Sequence, residues 1–356
     1  MDAIKIEIKK LQKSYTDKKK NSKVVLYQFD LKVYAGEFLV LLGESGCGKT
    51  SLLRVIAGIE DYDFGDIYFD GVDALEIEQK DKNMSFVNQN YVLFPFKTVY
   101  ENIDAPLLNL KWNKASRIKR IQELANMLDL NLILTRKPKE LSGGQQQRVA
   151  IARSLAKDPD ICLFDEPLSA LDPIYHDEII KLLLDVHKKT FATYIYSTHN
   201  QKEAFVLGDR IAIIHNMKVE QIGNKNEILN YPTSPYICRF LNEIFILEIK
   251  GVIKNNNFIF ENNDVTFNIQ LNQFSQYFNF KNSDDVILFC KNGAFTIDEN
   301  GFIFNVYKRN TNSVSISIQN STIDIEVDED FEENNIKLNF DFTNCAFFIE
   351  GENIRK

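Results

Sequence analysis

A chain of 356 residues, 44% of them apolar, has material for about two buried cores. Its formal net charge of −8 argues against a nucleic-acid surface as the main role, and five cysteines far apart, with no Cys-x-x-Cys or Cys/His cluster, argue against a metal cluster or disulfide framework and fit reduced thiols. Met1-Asp2-Ala3-Ile4-Lys5 begins an alternating strand rather than a signal peptide, and no stretch approaches the roughly 18 apolar residues of a membrane span. Work at a membrane would need spanning helices from other subunits.

Ile4 to Ile8 alternates with period two and reads as a half-exposed strand. Tyr15 follows, ahead of a lysine-rich stretch from Lys18 to Lys23 that reads as a solvated hairpin tip. An aromatic ring there serves strand packing or stacks on a nucleobase, and the sequence leaves both open. Val24 to Val33 gives more strand, and Ala35-Gly36-Glu37 turns into the apolar run Phe38 to Leu42. That run enters Gly43-Glu44-Ser45-Gly46-Cys47-Gly48-Lys49-Thr50-Ser51, which fits G-x-x-x-x-G-K-[ST], and a helical pattern from Leu52 to Ala57 leaves it. Glycines let successive N–H groups point at phosphate oxygens, and the helix N-terminus adds its positive end. Lys49 is placed to reach the β- and γ-phosphates, and Thr50 to bind Mg²⁺. Cys47 lies inside this loop, so its alkylation is expected to inhibit.

Gly65 to Gly71 reads as a strand ending in a turn, and Met84 to Val87 as another. Gln89 just beyond is a surface amide or one that reaches the metal and the attacking water. Residues 90–98 are aromatic (Tyr91, Phe94, Phe96), which suggests a docking surface or a small satellite core. From Val99 to Leu134 the period is helical and predicts a helical subdomain. Leu141-Ser142-Gly143-Gly144-Gln145 then opens another helix. Ser142, Gly143, Gly144 and Gln145 make a second anion site that lacks a lysine and so suits capping phosphates held elsewhere.

Ile161 to Phe164 is an apolar strand ending in Asp165 and Glu166. Asp165 is placed to hold Mg²⁺ and Glu166 to polarise an attacking water. Ser169 to Asp172 reads as a turn, residues 177–188 as a helix, and Ala192 to Thr198 as a strand ending at His199, where P-loop folds place the γ-phosphate. Beyond about Phe245, short alternating strands separated by Asn and Gly turns predict a small β-barrel. The acids between Asp324 and Glu333 argue against nucleic acid there.

Taken together, residues 4 to 240 resemble the ATPase subunit of ATP-binding-cassette transporters. The motifs are Walker A (Gly43 to Thr50), the Q-loop (Gln89), the LSGGQ signature (Leu141 to Gln145), Walker B with its glutamate (Asp165, Glu166), the D-loop (Ser169 to Asp172) and the switch histidine (His199). The resemblance implies an α/β fold: a P-loop ATPase domain over residues 1–240, with a RecA-like core and a helical subdomain at about 90–158, then an all-β OB/TOBE-like domain over 241–356. It makes Tyr15 the adenine-stacking residue and puts Asp172 at the nucleotide. It implies ATP and Mg²⁺, head-to-tail pairing with a second copy or related subunit, two membrane permease subunits at the cytoplasmic face, an extracytoplasmic solute-binding protein acting indirectly, and no nucleic acid. Two departures stand out: Asn200 where relatives usually carry Asp after the histidine, and Cys290-Lys291-Asn292 in place of an Arg-Pro-Glu turn. The β tail resembles spermidine/putrescine, ferric-iron, molybdate and sugar importer ATPases. Ala170 and Gly144 to Arg148 lean the expectation to polyamine, then ferric iron, then sugar. A soluble cassette protein without transport is the alternative of another class.

Overall fold

The computed structural model describes residues 3–16, 22–78, 81–89, 92–169, 172–262, 265–309, 313–319, 321–326, 333 and 335–356. Tyr91, Ala170, Leu171, the lysines at 18–20 and most of the acidic run after Glu326 lie outside them. The chain divides into two compact units, residues 1–225 and 226–356.

In the first unit, β1 (Ile4–Thr16) pairs antiparallel with β2 (Ser22–Tyr34). The sequence expected β1 to end at Ile8. Register shifts at Leu11 and Lys13 and a left-handed Lys10 (φ 48°) absorb the broken alternation, so the ladder runs on to Thr16 and carries Tyr15. β3 (Phe38–Leu42) is buried along its whole length and leads into α1 (Lys49–Ile56). β4 (Phe64–Phe69) and β5 (Val72–Asp73) complete a four-stranded sheet in the order β2-β1-β4-β5.

After β6 (Met84–Val87) come three helices, α2 (Val99–Asn109), α3 (Lys114–Met127) and α4 (Gly143–Leu155). The helical stretch expected from Val99 to Leu134 breaks at residues 110–113, where Asn113 caps α3 by accepting from the Ser116 N–H. Then follow β7 (Ile161–Asp165), α5 (His176–Thr190), β8 (Thr193–Thr198), α6 (Gln201–Leu207), β9 (Arg210–His215) and β10 (Lys218–Gly223). They build a six-stranded sheet, β10-β9-β3-β8-β7-β6, parallel except for the β9–β10 edge. One core, with Leu39 and Leu41 of β3, Leu52 and Leu53 of α1, and Ile6 and Phe29 of the antiparallel sheet all at 0% exposure, joins the two sheets across α1. In parallel sheets, ligands bind beyond the carboxyl ends of the strands, and β3, β7 and β8 all end on the same edge.

The second unit opens with α7 (Lys225–Asn230) and α8 (Pro235–Phe240). Among the described residues ten strands follow: β11 (Phe245–Lys254), β12 (Asn257–Asn262), β13 (Val265–Gln270), β14 (Ser283–Lys291), β15 (Phe295–Arg309), β16 (Ser313–Ile318), β17 (Ser321–Glu326), β18 (Asn335–Phe340), β19 (Cys345–Ile349) and β20 (Glu352–Asn353). They form sheets ordered β13-β12-β11-β14-β19-β20 and β17-β16-β15-β18, which share one phenylalanine-rich core. This is the expected all-β OB/TOBE-like domain.

Candidate phosphate and metal site

The loop from Gly43 to Gly48 is shaped by backbone more than by side chains. Gly48 has φ 108°, and a Cβ there would sit 2.5 Å from the Val25 carbonyl oxygen, so only glycine fits. Gly46 has φ 82° and open space around it, as an approach path for a large anion requires. Among the described residues, no backbone carbonyl accepts from the N–H groups of Gly46, Gly48, Lys49 and Thr50. These donors lie at the N-terminal end of α1, where the helix dipole adds positive potential. Ser45 is exposed and Ser51 half-buried at the same turn.

Lys49 is 3% exposed, and its ammonium donates to the carbonyl oxygens of Gly43 (2.8 Å) and Glu44 (2.9 Å). Glu166 stands 3.5 Å from it. The other Glu166 oxygen is 3.2 Å from His199 Nδ1. Glu166 adopts a left-handed conformation (φ 41°), a cost of about 1–2 kcal/mol for a residue with a Cβ. Its N–H holds that turn by donating to the Ser197 carbonyl (3.2 Å) and the Ser197 hydroxyl oxygen (3.0 Å). The strained turn aims the carboxylate between Lys49 and His199. His199 is half-exposed, and it is the exposed member of the group.

Asp165, 5% exposed, accepts from the Thr50 hydroxyl (2.8 Å) and the Ser197 hydroxyl (3.0 Å). A hydroxyl and a carboxylate oxygen this close, beside N–H donors with no carbonyl partner, fit a hydrated Mg²⁺ that takes its remaining oxygens from phosphate and water. Among the described residues no group of three or more His, Cys, Asp or Glu side chains converges to hold a metal by itself. Cys47 is half-buried, and burial pushes its thiol up, with Lys49 pulling less strongly the other way.

Ser197 was not singled out by sequence reasoning. It is fully buried in β8 opposite Asp165, and its one hydroxyl bridges the Asp165 carboxylate and the Glu166 backbone. Glu203 was missed too. It is buried at the start of α6, accepts from Tyr196 (2.9 Å) and Thr198 (2.8 Å), and faces His176 at 3.7 Å, so it braces the strand that delivers His199. Asn200 accepts from the Lys202 and Glu203 N–H groups (2.9 and 3.2 Å) and caps α6 as an aspartate would, which explains why the departure at that position leaves the turn intact.

The other expected residues are placed less centrally. Gln89 is exposed two residues beyond β6, next to the end of β7, and among the described residues it makes no hydrogen bond to Thr50 or Asp165. Ser142 caps α4: its hydroxyl oxygen accepts from the Gln145 N–H (3.4 Å), and Gln145 Oε1 accepts from the Ser142 N–H (3.1 Å). Ser142 and Gly143 are exposed, and a Cβ on Gly144 would meet nothing within 4 Å. Asp172 is exposed and accepts from the Ile174 N–H (3.1 Å). Tyr15 is 40% exposed and bonds Ser51 and Glu60. Of the aromatic loop, Phe94 and Phe96 are exposed (47% and 88%), so they do not form a satellite core. Asn102, fully buried, holds this loop through bonds to Phe94, Lys97 and Thr98. Arg153 of α4 donates to the Val92 carbonyl at 2.6 Å.

A parallel sheet whose central strand feeds this loop, with a lysine, a threonine and a Walker-type aspartate converging at its edge, defines a P-loop nucleotide-binding protein. Residues 26–169 match the ABC transporter family. The chain is 39% identical over 231 residues to an sn-glycerol-3-phosphate import ATP-binding protein of Rhizobium johnstonii, an alignment covering 65% of this chain and 63% of that one, slightly under two thirds of the relative's length. It is 41% identical to a spermidine/putrescine import ATP-binding protein of Chromobacterium violaceum (70% and 67% covered) and 36% identical to a sulfate/thiosulfate import ATP-binding protein of Pectobacterium atrosepticum (74% and 79% covered). Among solved structures, a dimeric bacterial ABC transporter cassette superposes with a TM-score of 0.56 at 32% identity, covering 62% of this chain and 98% of that one. The chain belongs to the ABC-transporter family.

Proposed function

We propose that this chain hydrolyses ATP with Mg²⁺ and powers solute import through separate membrane permease subunits. The observation that carries the reading is the convergence of Lys49, Thr50, Asp165, Glu166 and His199 on one strand edge, beside four N–H donors without a carbonyl partner. The loop N–H groups and Lys49 bind the β- and γ-phosphates, and Tyr15 stacks on the adenine. Thr50, Asp165 and Gln89 would hold the metal, which when bound would supply positive charge against the phosphate oxygens. Glu166 orients and deprotonates the attacking water, and His199 steadies Glu166 and the γ-phosphate.

The signature residues Ser142 and Gln145 bond each other within their own segment. A second copy turned head to tail brings residues 142–145, with Asp172, over the nucleotide of its partner. The superposed bacterial cassette is itself a dimer, which supports that pairing. No helix among the described residues is long and apolar enough to cross a membrane, so permeases would supply the path at the cytoplasmic face, with a solute-binding protein acting from the other side. The exposed Phe94 and Phe96, clamped by Asn102 and tied to α4 by Arg153, suit permease docking.

Polyamine was the first expectation for the solute. Relatives of nearly equal similarity are named for glycerol phosphate, spermidine/putrescine and sulfate, so the group as a whole, including its sugar-type branch, is better supported than polyamine alone. The test of the central reading is ATP turnover against protein concentration, alone and with Glu166→Gln mixed in. Turnover rising faster than linearly and poisoned by the variant supports a shared two-chain site; linear turnover untouched by it removes the head-to-tail dimer.

A further inference from the structure

Tyr15 is held at three points. Its hydroxyl donates to a Glu60 carboxylate oxygen and sits 3.0 Å from the Ser51 hydroxyl, the residue after Thr50 in α1. Glu60 is itself held by Arg54 of α1 at 3.2 Å. The Lys13 ammonium lies 5.0 Å from the centre of the Tyr15 ring and is anchored by the Asp61 carbonyl at 2.6 Å. Ser51 and Glu60, and the Asp61 carbonyl that anchors Lys13, belong to α1 or the segment just after it, although Tyr15 and Lys13 are on β1. The ring is thus tied to the same helix that presents the phosphate-binding N–H groups. Burial, and next the Glu60 bond, hold the Tyr15 phenol above its usual range, so it remains a hydrogen-bond donor at neutral pH.

We propose that Glu60 and Ser51 are positioning residues that fix the Tyr15 ring at a set distance from the phosphate loop, while Lys13 backs one ring face and leaves the other for a purine base. The inference rests on the reading of Tyr15 as the base-stacking residue. A cation over one face of an aromatic ring also reduces the ring's freedom to tilt. A ring so pinned stacks without losing rotamer freedom on binding, which is where preorganisation gains affinity.

The test is equilibrium binding of ATP and of inorganic tripolyphosphate, both without Mg²⁺, to the full chain and to Tyr15→Ala, Tyr15→Phe, Glu60→Leu, Glu60→Gln and the Tyr15→Phe/Glu60→Leu pair. Tyr15→Phe and Glu60→Leu are each expected to weaken ATP binding roughly five- to tenfold, the scale of one charge-assisted hydrogen bond. Glu60→Gln keeps an acceptor and should lose less. The double variant should be no worse than either single one, because both break the same bond. Tripolyphosphate binding should stay at the wild-type level throughout. Wild-type ATP affinity in Tyr15→Phe and Glu60→Leu, with a loss in Tyr15→Ala, would overturn the positioning role and leave stacking intact. Wild-type affinity in Tyr15→Ala would remove stacking and the inference with it. Weakened tripolyphosphate binding in Glu60→Leu would place Glu60 in the support of α1 instead, and would also overturn the inference.

Discussion

Replacing Glu166 with glutamine should do more than stop hydrolysis: it should tighten nucleotide binding even in a single chain. Lys49 is 3.5 Å from Glu166 and nearly buried. A γ-phosphate needs that ammonium, so binding must break or share the pair. At an effective dielectric constant of about 20, two charges at this separation attract by roughly 5 kcal/mol. Desolvation of both groups takes back most of it, and Glu166 keeps some solvent contact, which leaves a net cost of about 1–2 kcal/mol. Lys49 keeps its two carbonyl acceptors when the carboxylate is gone, so its ammonium stays hydrogen-bonded in place and its charge is left for the phosphate. ATP affinity should therefore rise about five- to thirtyfold. The assay is titration calorimetry with Mg²⁺-free ATP, at protein concentrations low enough to keep chains apart, so that neither hydrolysis nor dimer trapping contributes. Glu166→Ala should show the same gain. Equal affinities in wild type and both variants would show that the carboxylate does not compete for Lys49, and the reasoning would fall.

Ser197→Ala removes one donor to buried Asp165 and one acceptor for the Glu166 N–H; a loss of about 1.5–3 kcal/mol in chemical denaturation is expected, together with weaker Mn²⁺ binding in the presence of ATP, and wild-type values for both would deny Ser197 its bridging role. Alkylation of Cys47 should lag behind that of a free thiol at neutral pH, speed up only well into the alkaline range, and be blocked by ATP; rapid reaction at neutral pH, unaffected by ATP, would contradict a buried thiol inside the phosphate loop. Burial lowers His187 from its usual value of 6.5, where it packs against Phe38 and Tyr194 at ring distances of 5.2 and 4.8 Å. The folded state therefore favours the neutral ring: this group's contribution is full above about pH 6.5 and is lost as pH falls through the lower folded value. Thermal melts should show wild type losing stability relative to His187→Phe as pH drops below 6.5, and parallel curves would mean the ring is solvated.

The phosphate loop was legible because its chemistry is contiguous. Gly43 to Thr50 lies between an apolar strand and a helix, and the backbone of that one segment supplies the donors. Asp165, Glu166 and His199 were legible as candidates because each lies at or one residue past the end of a strand, and parallel strands end on one edge. The capping box of Ser142 and Gln145 was equally local, although the sequence assigned those residues only to anion binding. Other features depended on distant segments. β1 runs to Thr16 because β2 continues to pair with it across bulges that alternation alone reads as a stop. Ser197 looks like any small residue in a strand until the register places it opposite Asp165. Glu203 reads as a helix-surface acid, and only the packing of α6 buries it against Tyr196 and Thr198. Glu60 and Lys13 lie 47 residues apart in number, and nothing in their spacing joins them to Tyr15. Residue type and local backbone geometry are set within one segment, so reading the chain alone was enough to name the candidate groups for the chemistry. The tertiary structure decided which groups hold them in place, since a hydrogen bond between sheets depends on how the chain returns.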